Sequence, residues 1–287
     1  GRKKISRPTS CMRHRLAGIS TRALSLAVLI VTLLALVVYG THGGLRARIA
    51  LERMYEDISD AVAPDAERAF LFGEEHFSSR SDDYDIARAE RFFVSAMTRD
   101  PDLPLVRHEL ARVYFLKGDF PKALGFINAQ VALHGDEFPN AYYVRGLILG
   151  YMGSYDAAVS DYRTFLRAEP HNWAAINDYA WVLLKADKPE DALHATVGGL
   201  GEFPDNPWLL NTNAIALFEL GFREAAYAQA YRALLTSVSV TPEQWLTAYP
   251  GNDPMIAVQG ITAFQSAIIA NIHSTRKVDA ARTVQSE

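Results

Sequence analysis

Residues 140–172 read NAYYVRGLILGYMGSYDAAVSDYRTFLRAEPHN, and residues 172–206 read NWAAINDYAWVLLKADKPEDALHATVGGLGEFPDN. Laid over one another at an offset of 34 residues, Gly146 falls on Ala180, Leu149 on Leu183, Ala158 on Ala192, Pro170 on Pro204 and Asn172 on Asn206. A fixed offset that puts small residues on small and proline on proline marks an internal repeat. Helix packing explains the pattern. Two antiparallel helices that approach closely need small residues where they cross, here Gly146 and Ala158, with Leu149 and Tyr162 filling the space between them. Gly153 suits a turn with positive φ. Pro170 and Pro204 end the second helix of each pair, because proline has no N–H to donate.

One helix pair cannot bury its own apolar face, so further copies should flank it. On the C-terminal side the frame predicts Ala214, Leu217, Gly221, Ala226 and Ala233. On the N-terminal side it predicts Leu110, Ala111, Tyr114, Gly118, Phe120 and Ala123, with Gln130 where a small residue is expected. One more unit fits at Ala89, Phe93, Ala96 and Pro101. Its first helix, over Ala66 to Phe77, requires an insertion of about four residues in the loop from Ser78 to Asp83. The repeats resemble the tetratricopeptide repeat (TPR) family. That resemblance implies an all-α solenoid of about five antiparallel helix pairs over 65–238.

Composition excludes several classes. A hydrophobic fraction of 49% rules out a disordered chain. The first 22 residues carry Arg2, Lys3, Lys4, Arg7, Arg13, Arg15 and Arg22 and no acid. Removing those seven charges from a net −4 leaves −11 on the other 265 residues. A repeat domain that acidic lacks the basic footprint of a nucleic-acid binder. Cys11 is the only cysteine, so neither an intrachain disulfide nor a cysteine metal cluster can form.

Residues 1–22 read as a basic cytosolic tail. Residues 23–39, ALSLAVLIVTLLALVVY, contain eleven Leu, Ile or Val in 17 and no charge. The stretch reads as a single transmembrane helix near the lower limit of length. A secretory signal is the competing reading, but its apolar core is shorter and ends at a small-x-small site that 39–43 matches poorly. The basic flank places the N-terminus in the cytosol and the repeats across an inner (plasma) membrane, on the periplasmic or other extracytoplasmic side. A juxtamembrane linker and helix is expected over 40–64, with Leu45 to Val62 amphipathic. After the repeats, Thr241-Pro242-Glu243 signals a helix start. A last helix is expected from Pro254 to His273. Together, 239–274 read as a cap on the open end of the stack, and 275–287 as a frayed tail.

No catalytic pattern is found. His108-Glu109 begins a zinc-protease motif, but Arg112 stands where its second histidine belongs. His108 and His171 read as surface residues. Gly198-Gly199-Leu200-Gly201 lacks the lysine and the preceding strand of a phosphate loop. Neither an enzyme nor a cofactor or metal site is expected. The TPR resemblance implies instead a concave groove lined by the first helix of each pair. Carried over residue by residue, it gives a partner-binding groove of Tyr143, Tyr151, Asn177, Asp178, Trp181, Trp208, Asn211 and Phe218. The asparagines would bond an extended peptide's backbone and the aromatics would supply pockets. The expected function is a membrane-tethered scaffold or assembly factor that holds a protein or extended peptide. The alternative is a self-associating structural or regulatory subunit of an inner-membrane complex, with the oligomeric state left open.

Overall fold

The computed structural model describes residues 44–249 and 251–283, with side chains as far as Thr275. The basic tail and the apolar stretch 23–39 lie outside the described residues. The chain divides after Ala63 into two compact units. In the first, α1 (Leu45–Val62) forms over the expected residues, with Arg48 and Glu52 paired one turn apart at 3.4 Å.

The second unit is a right succession of antiparallel helix pairs. They are α2 (Ala66–Phe77) with α3 (Ile86–Arg99), α4 (Val106–Leu116) with α5 (Phe120–His134), α6 (Asn140–Tyr151) with α7 (Tyr155–Ala168), α8 (Trp173–Lys185) with α9 (Pro189–Glu202), and α10 (Pro207–Glu219) with α11 (Arg223–Ser237). Local chemistry sets many of their starts. The side chains of Asp65, Asp85, Asp119, Asn172 and Asn206 each accept an N–H from the first turn that follows. The turns inside the pairs repeat one conformation. Gly118, Gly153 and Gly221 have φ of 76°, 80° and 86°, and Asp187 holds the same left-handed position at 58°.

The small residues of the frame are buried: Ala89, Ala123, Ala158, Ala192 and Ala226 are all fully inaccessible. Gly146 meets the ring of Tyr162, and a Cβ added there would lie 3.1 Å from its Cε2 atom. Tyr162, which the frame placed between the two helices, is thus the nearest neighbour of Gly146. Successive first helices touch along α6, α8 and α10, while successive second helices make far weaker contact. The first helices thus form the inner, concave layer of the solenoid.

Two features depart from the regular stack. The α2–α3 loop has eight residues, 78–85, where the other pairs have three, such as 152–154. Beyond α11 come α12 (Pro242–Ala248), a 3-10 turn (Pro254–Ile256) and α13 (Ala257–Thr283). Thr241 and Gln244 close a capping box at the start of α12, as the sequence signal predicts. The α13 helix runs past His273 to Thr283 rather than fraying at Thr275; the residues after His273 include neither glycine nor proline. Among the described residues, Pro254–Thr275 is the stretch long and apolar enough to cross a membrane. It is nevertheless docked on the last repeat. Ile268 is fully buried, Gln265 donates to the Ser237 carbonyl at 3.1 Å, and Asn271 donates to Asn211 at 2.9 Å.

The C-terminal segment does more than cover an open end. Its turn at Gly251 reaches the first two repeats, where the Tyr84 hydroxyl donates to the Gly251 carbonyl at 2.6 Å. A Cβ on Gly251 would meet Arg112 at 2.9 Å and Phe77 at 3.1 Å. Tyr84 sits in the lengthened α2–α3 loop, so the insertion supplies the anchor for this crossing. The expectation of a simple end cap is corrected: α12 and the turn after it form an arm across the concave face.

Candidate functional site

The 34-residue period aligns three rows of side chains on the inner helices. Tyr143, Asn177 and Asn211 form one row. Val144, Asp178 and Thr212 form the second, and Leu147, Trp181 and Ile215 the third. All nine line one cavity of about 620 Å³, a size ordinary for a ligand site. Phe115, Phe120 and Tyr151 extend the wall toward the second repeat. The opposite wall is the arm, with Trp245, Ala248, Tyr249, Asn252 and Ile256, continued by Phe264 of α13.

Of the eight expected groove residues, the cavity gathers Tyr143, Tyr151, Asn177, Asp178, Trp181, Trp208 and Asn211. Phe218 lies outside it, near the guanidinium of Arg223 at 5.6 Å. The arm changes what several of the seven can do. Trp208 is 6% exposed; it stacks on Phe264 at 5.2 Å and its indole N–H donates to the Tyr249 hydroxyl at 3.2 Å. It therefore holds the arm in place. Asn177 accepts from the Thr212 hydroxyl at 2.8 Å, and Asn211 accepts from Asn271. Each carbonyl oxygen thus already accepts one hydrogen bond within the chain.

Tyr151 and Tyr249 keep solvent access, at 57% and 38% exposure, and stand at the rim. Tyr151 packs against Trp181 with ring centroids 5.6 Å apart, and Trp245 against Tyr249 at 4.9 Å. Close packing fixes the indole of Trp181. A Cβ on Gly150 would lie 3.1 Å from its ring and 3.2 Å from Val182, a tight approach that would require these neighbours to give by a few tenths of an ångström.

Asp178 is the carboxylate of this aromatic enclosure. Its Oδ2 accepts from the Tyr143 hydroxyl at 2.8 Å and its Oδ1 from Asn177 at 3.3 Å. Burial raises its pKa to about 6 despite those two donors. The carboxylate's charge in turn helps raise the phenols of Tyr143, Tyr151 and Tyr249, the last to about 12, with burial the larger cause in each. At the far end of the cavity the Arg112 guanidinium donates to Glu109 at 2.5 Å. Nearby Glu74 is raised to about 7 by burial and by the Glu109 charge.

His108 is not a surface residue. It is 2% exposed, with Nε2 3.3 Å from the Asn140 amide, and burial pushes its pKa down, so it is neutral. It lies inside because it occupies an inner face of α4. His171 is exposed as expected and meets Glu202 at 2.7 Å. Among the described residues, no three His, Cys, Asp or Glu side chains converge as a metal site. The residues that sequence reading missed are those of the arm. Trp245, Tyr249 and Phe264 lie outside the repeat period, and the one hint of their role is aromatic residues flanking the Pro250-Gly251 turn.

Residues 143–207 match a family model described as tetratricopeptide repeat. No curated protein matches the chain. Several solved structures share its fold. A MamA protein superposes with a TM-score of 0.52 at 17% identity, over 64% of this chain and 95% of its own. MamA from Desulfovibrio magneticus RS-1 gives 0.54 at 14% identity, over 61% and 96%. YrrB, described as a TPR protein with an unusual peptide-binding site, gives 0.52 at 15% identity, over 66% and 92%. The fold is a TPR-like solenoid, a scaffold suited to protein or peptide binding.

Proposed function

We propose that this chain is a protein-binding scaffold, and that its cavity takes a side chain or short segment of its partner rather than a long extended peptide. The observation that carries this reading is the cavity itself: three rows of inner-helix residues face an arm that crosses the groove, leaving a site of about 620 Å³ with tyrosines at its rim. An open TPR groove holds extended chain along its length. Here the arm's contacts, Gly251 with Tyr84 at the first repeat and Tyr249 with Trp208 at the last, interrupt that path. The site offers recognition groups: aromatic rings, side-chain amides and the Asp178 carboxylate. YrrB's peptide-binding description supports a peptide as the class of partner.

The same proposal includes tethering. Residues 23–39 serve as an uncleaved anchor and the repeats work on the extracytoplasmic side of an inner membrane. Support comes from the apolar run and its basic flank alone.

A photocrosslinking amino acid at Tyr151 or Trp181, in intact cells, tests the binding reading. The control is Arg163, an exposed residue of α7 outside the cavity. A discrete adduct from the cavity positions and not from Arg163 is expected. Identical products from all three sites would remove the cavity from the function.

The self-association reading keeps one supporting observation. Met255, Val258 and Ile269 on the C-terminal segment are 83%, 65% and 42% exposed. Sedimentation of residues 44–287 over a range of concentrations separates it from the scaffold reading, which permits a monomer.

A further inference from the structure

Among the described residues, the carboxylate of Asp178 has no positively charged hydrogen-bond partner. Among the described residues its bonds are to the Tyr143 hydroxyl and the Asn177 amide, both neutral. A carboxylate held among aromatic side chains without a cation is costly, and chains normally pair or neutralise such a charge. The cation that lines the same cavity, Arg112, is already committed, bonded to Glu109 and lying 4.8 Å from the centre of the Phe77 ring. Around that one guanidinium stand Glu109 and Glu74, so it brings no spare positive charge to the site.

The walls about Asp178 suit a cation. Tyr143, Tyr151, Trp181 and Tyr249 present electron-rich rings, which attract an ammonium or guanidinium group. The rim tyrosines are the exposed members, so a charged group can enter between them. The chain after residue 22 carries −11, which draws a basic partner toward the mouth.

We propose that the cavity is a receptor for the lysine or arginine side chain of a partner peptide, whose charged head passes Tyr151 and Tyr249 and pairs with Asp178. The inference rests on the binding reading above and adds its specificity. The stem of such a side chain would run along the aromatic rim while its donors reach the carboxylate. Neutral and acidic side chains would leave Asp178 unpaired and are disfavoured.

The test is titration of the full chain with short peptides that differ at one position: lysine, arginine, N-acetyl-lysine, leucine or glutamate. Change in tryptophan fluorescence reports binding, because Trp181, Trp208 and Trp245 line the cavity. The lysine and arginine peptides are expected to bind about tenfold or more tighter than the N-acetyl-lysine peptide. In Asp178→Asn that preference should fall to about one. The acetyl-lysine comparison uses the unaltered chain, so it stands even where the variant folds poorly. Equal affinity for lysine and N-acetyl-lysine peptides would overturn the inference while leaving peptide binding intact. Response to free butylammonium with none to any peptide would also overturn it, because the source would be a small amine. Silence toward every probe, alongside a discrete crosslinked partner at Tyr151, would place the failure in the charge argument and not in the binding reading.

Discussion

Asp178 couples the site to the stability of the fold. Its folded pKa of about 6 lies above the ordinary carboxylate value of 3.8, so between those pH values the folded chain binds the extra proton. Stability from this group is therefore intact below about pH 4 and is lost as pH rises through 6. The penalty reaches about 3 kcal/mol at most. Asp178→Asn is expected to raise the urea midpoint at pH 7 and to flatten its dependence between pH 4 and 6. An unchanged slope would mean that Asp178 is solvated. Gln130 poses the opposite problem. It stands where the repeat wants a small residue, is fully buried, and neither amide atom has a hydrogen-bond partner. Replacing it with methionine keeps the volume and removes the unmet polar groups. Gln130→Met should gain about 1 kcal/mol in urea unfolding. A loss would indicate that the amide bonds a buried water. Neither residue's state was legible in the sequence: Gln130 was visible as a misfit, but its missing partners depend on packing, and Asp178 reads as an ordinary polar residue at a groove position.

At the scale of elements, the helices follow from local rules. The span of α2 coincides with the expected 66–77 behind its Asp65 cap, and α6 ends at the turn that Gly153 makes, because caps and turn glycines are short-range signals. The arm obeys no such rule. Its position depends on Gly260 in α13, where an added Cβ would fall 2.2 Å from Cζ2 of Trp245. Gly260→Val should push Trp245 from its seat and cost about 1–3 kcal/mol. Hydrogen exchange over 242–256 is expected to quicken while α6 to α9 stay protected. Protection that remained unchanged throughout would show that the arm repacks without that contact. The lengthened 78–85 loop is a related case. Its extra length is plain in the sequence, but its use, carrying Tyr84 to Gly251, is not.

At the scale of the molecule, the arm closes a structure that would otherwise be a linear stack. In an open solenoid each repeat contacts its neighbours alone and the ends unfold independently. Here a hydrogen bond joins residues 167 positions apart, from the first pair to the segment after the fifth. Gly251 makes that approach possible, with φ of 90° and no side chain against Phe77. The unaltered chain is expected to unfold with its tryptophan fluorescence and far-ultraviolet circular dichroism in step. In Gly251→Val the fluorescence should move first, since Trp208 and Trp245 lose the arm's packing. Separate transitions already present in the unaltered chain would show that the closure adds no cooperativity.

By itself the sequence determined the repeat, its all-helical pairing, the inner-face positions and the acidic character of the repeat domain. Each of these is encoded at short range or by period: small residues recur at crossings, and residues 34 apart stand on equivalent faces. Tertiary structure alone decided that the groove is crossed, that Trp208 holds the arm and Asn211 the C-terminal helix, that His108 is buried, and that Asp178 faces an aromatic enclosure with no cation bonded to it. Those outcomes depend on contacts between segments far apart in the chain. Hydrophobic burial drives such contacts without direction, and no local pattern records where they close.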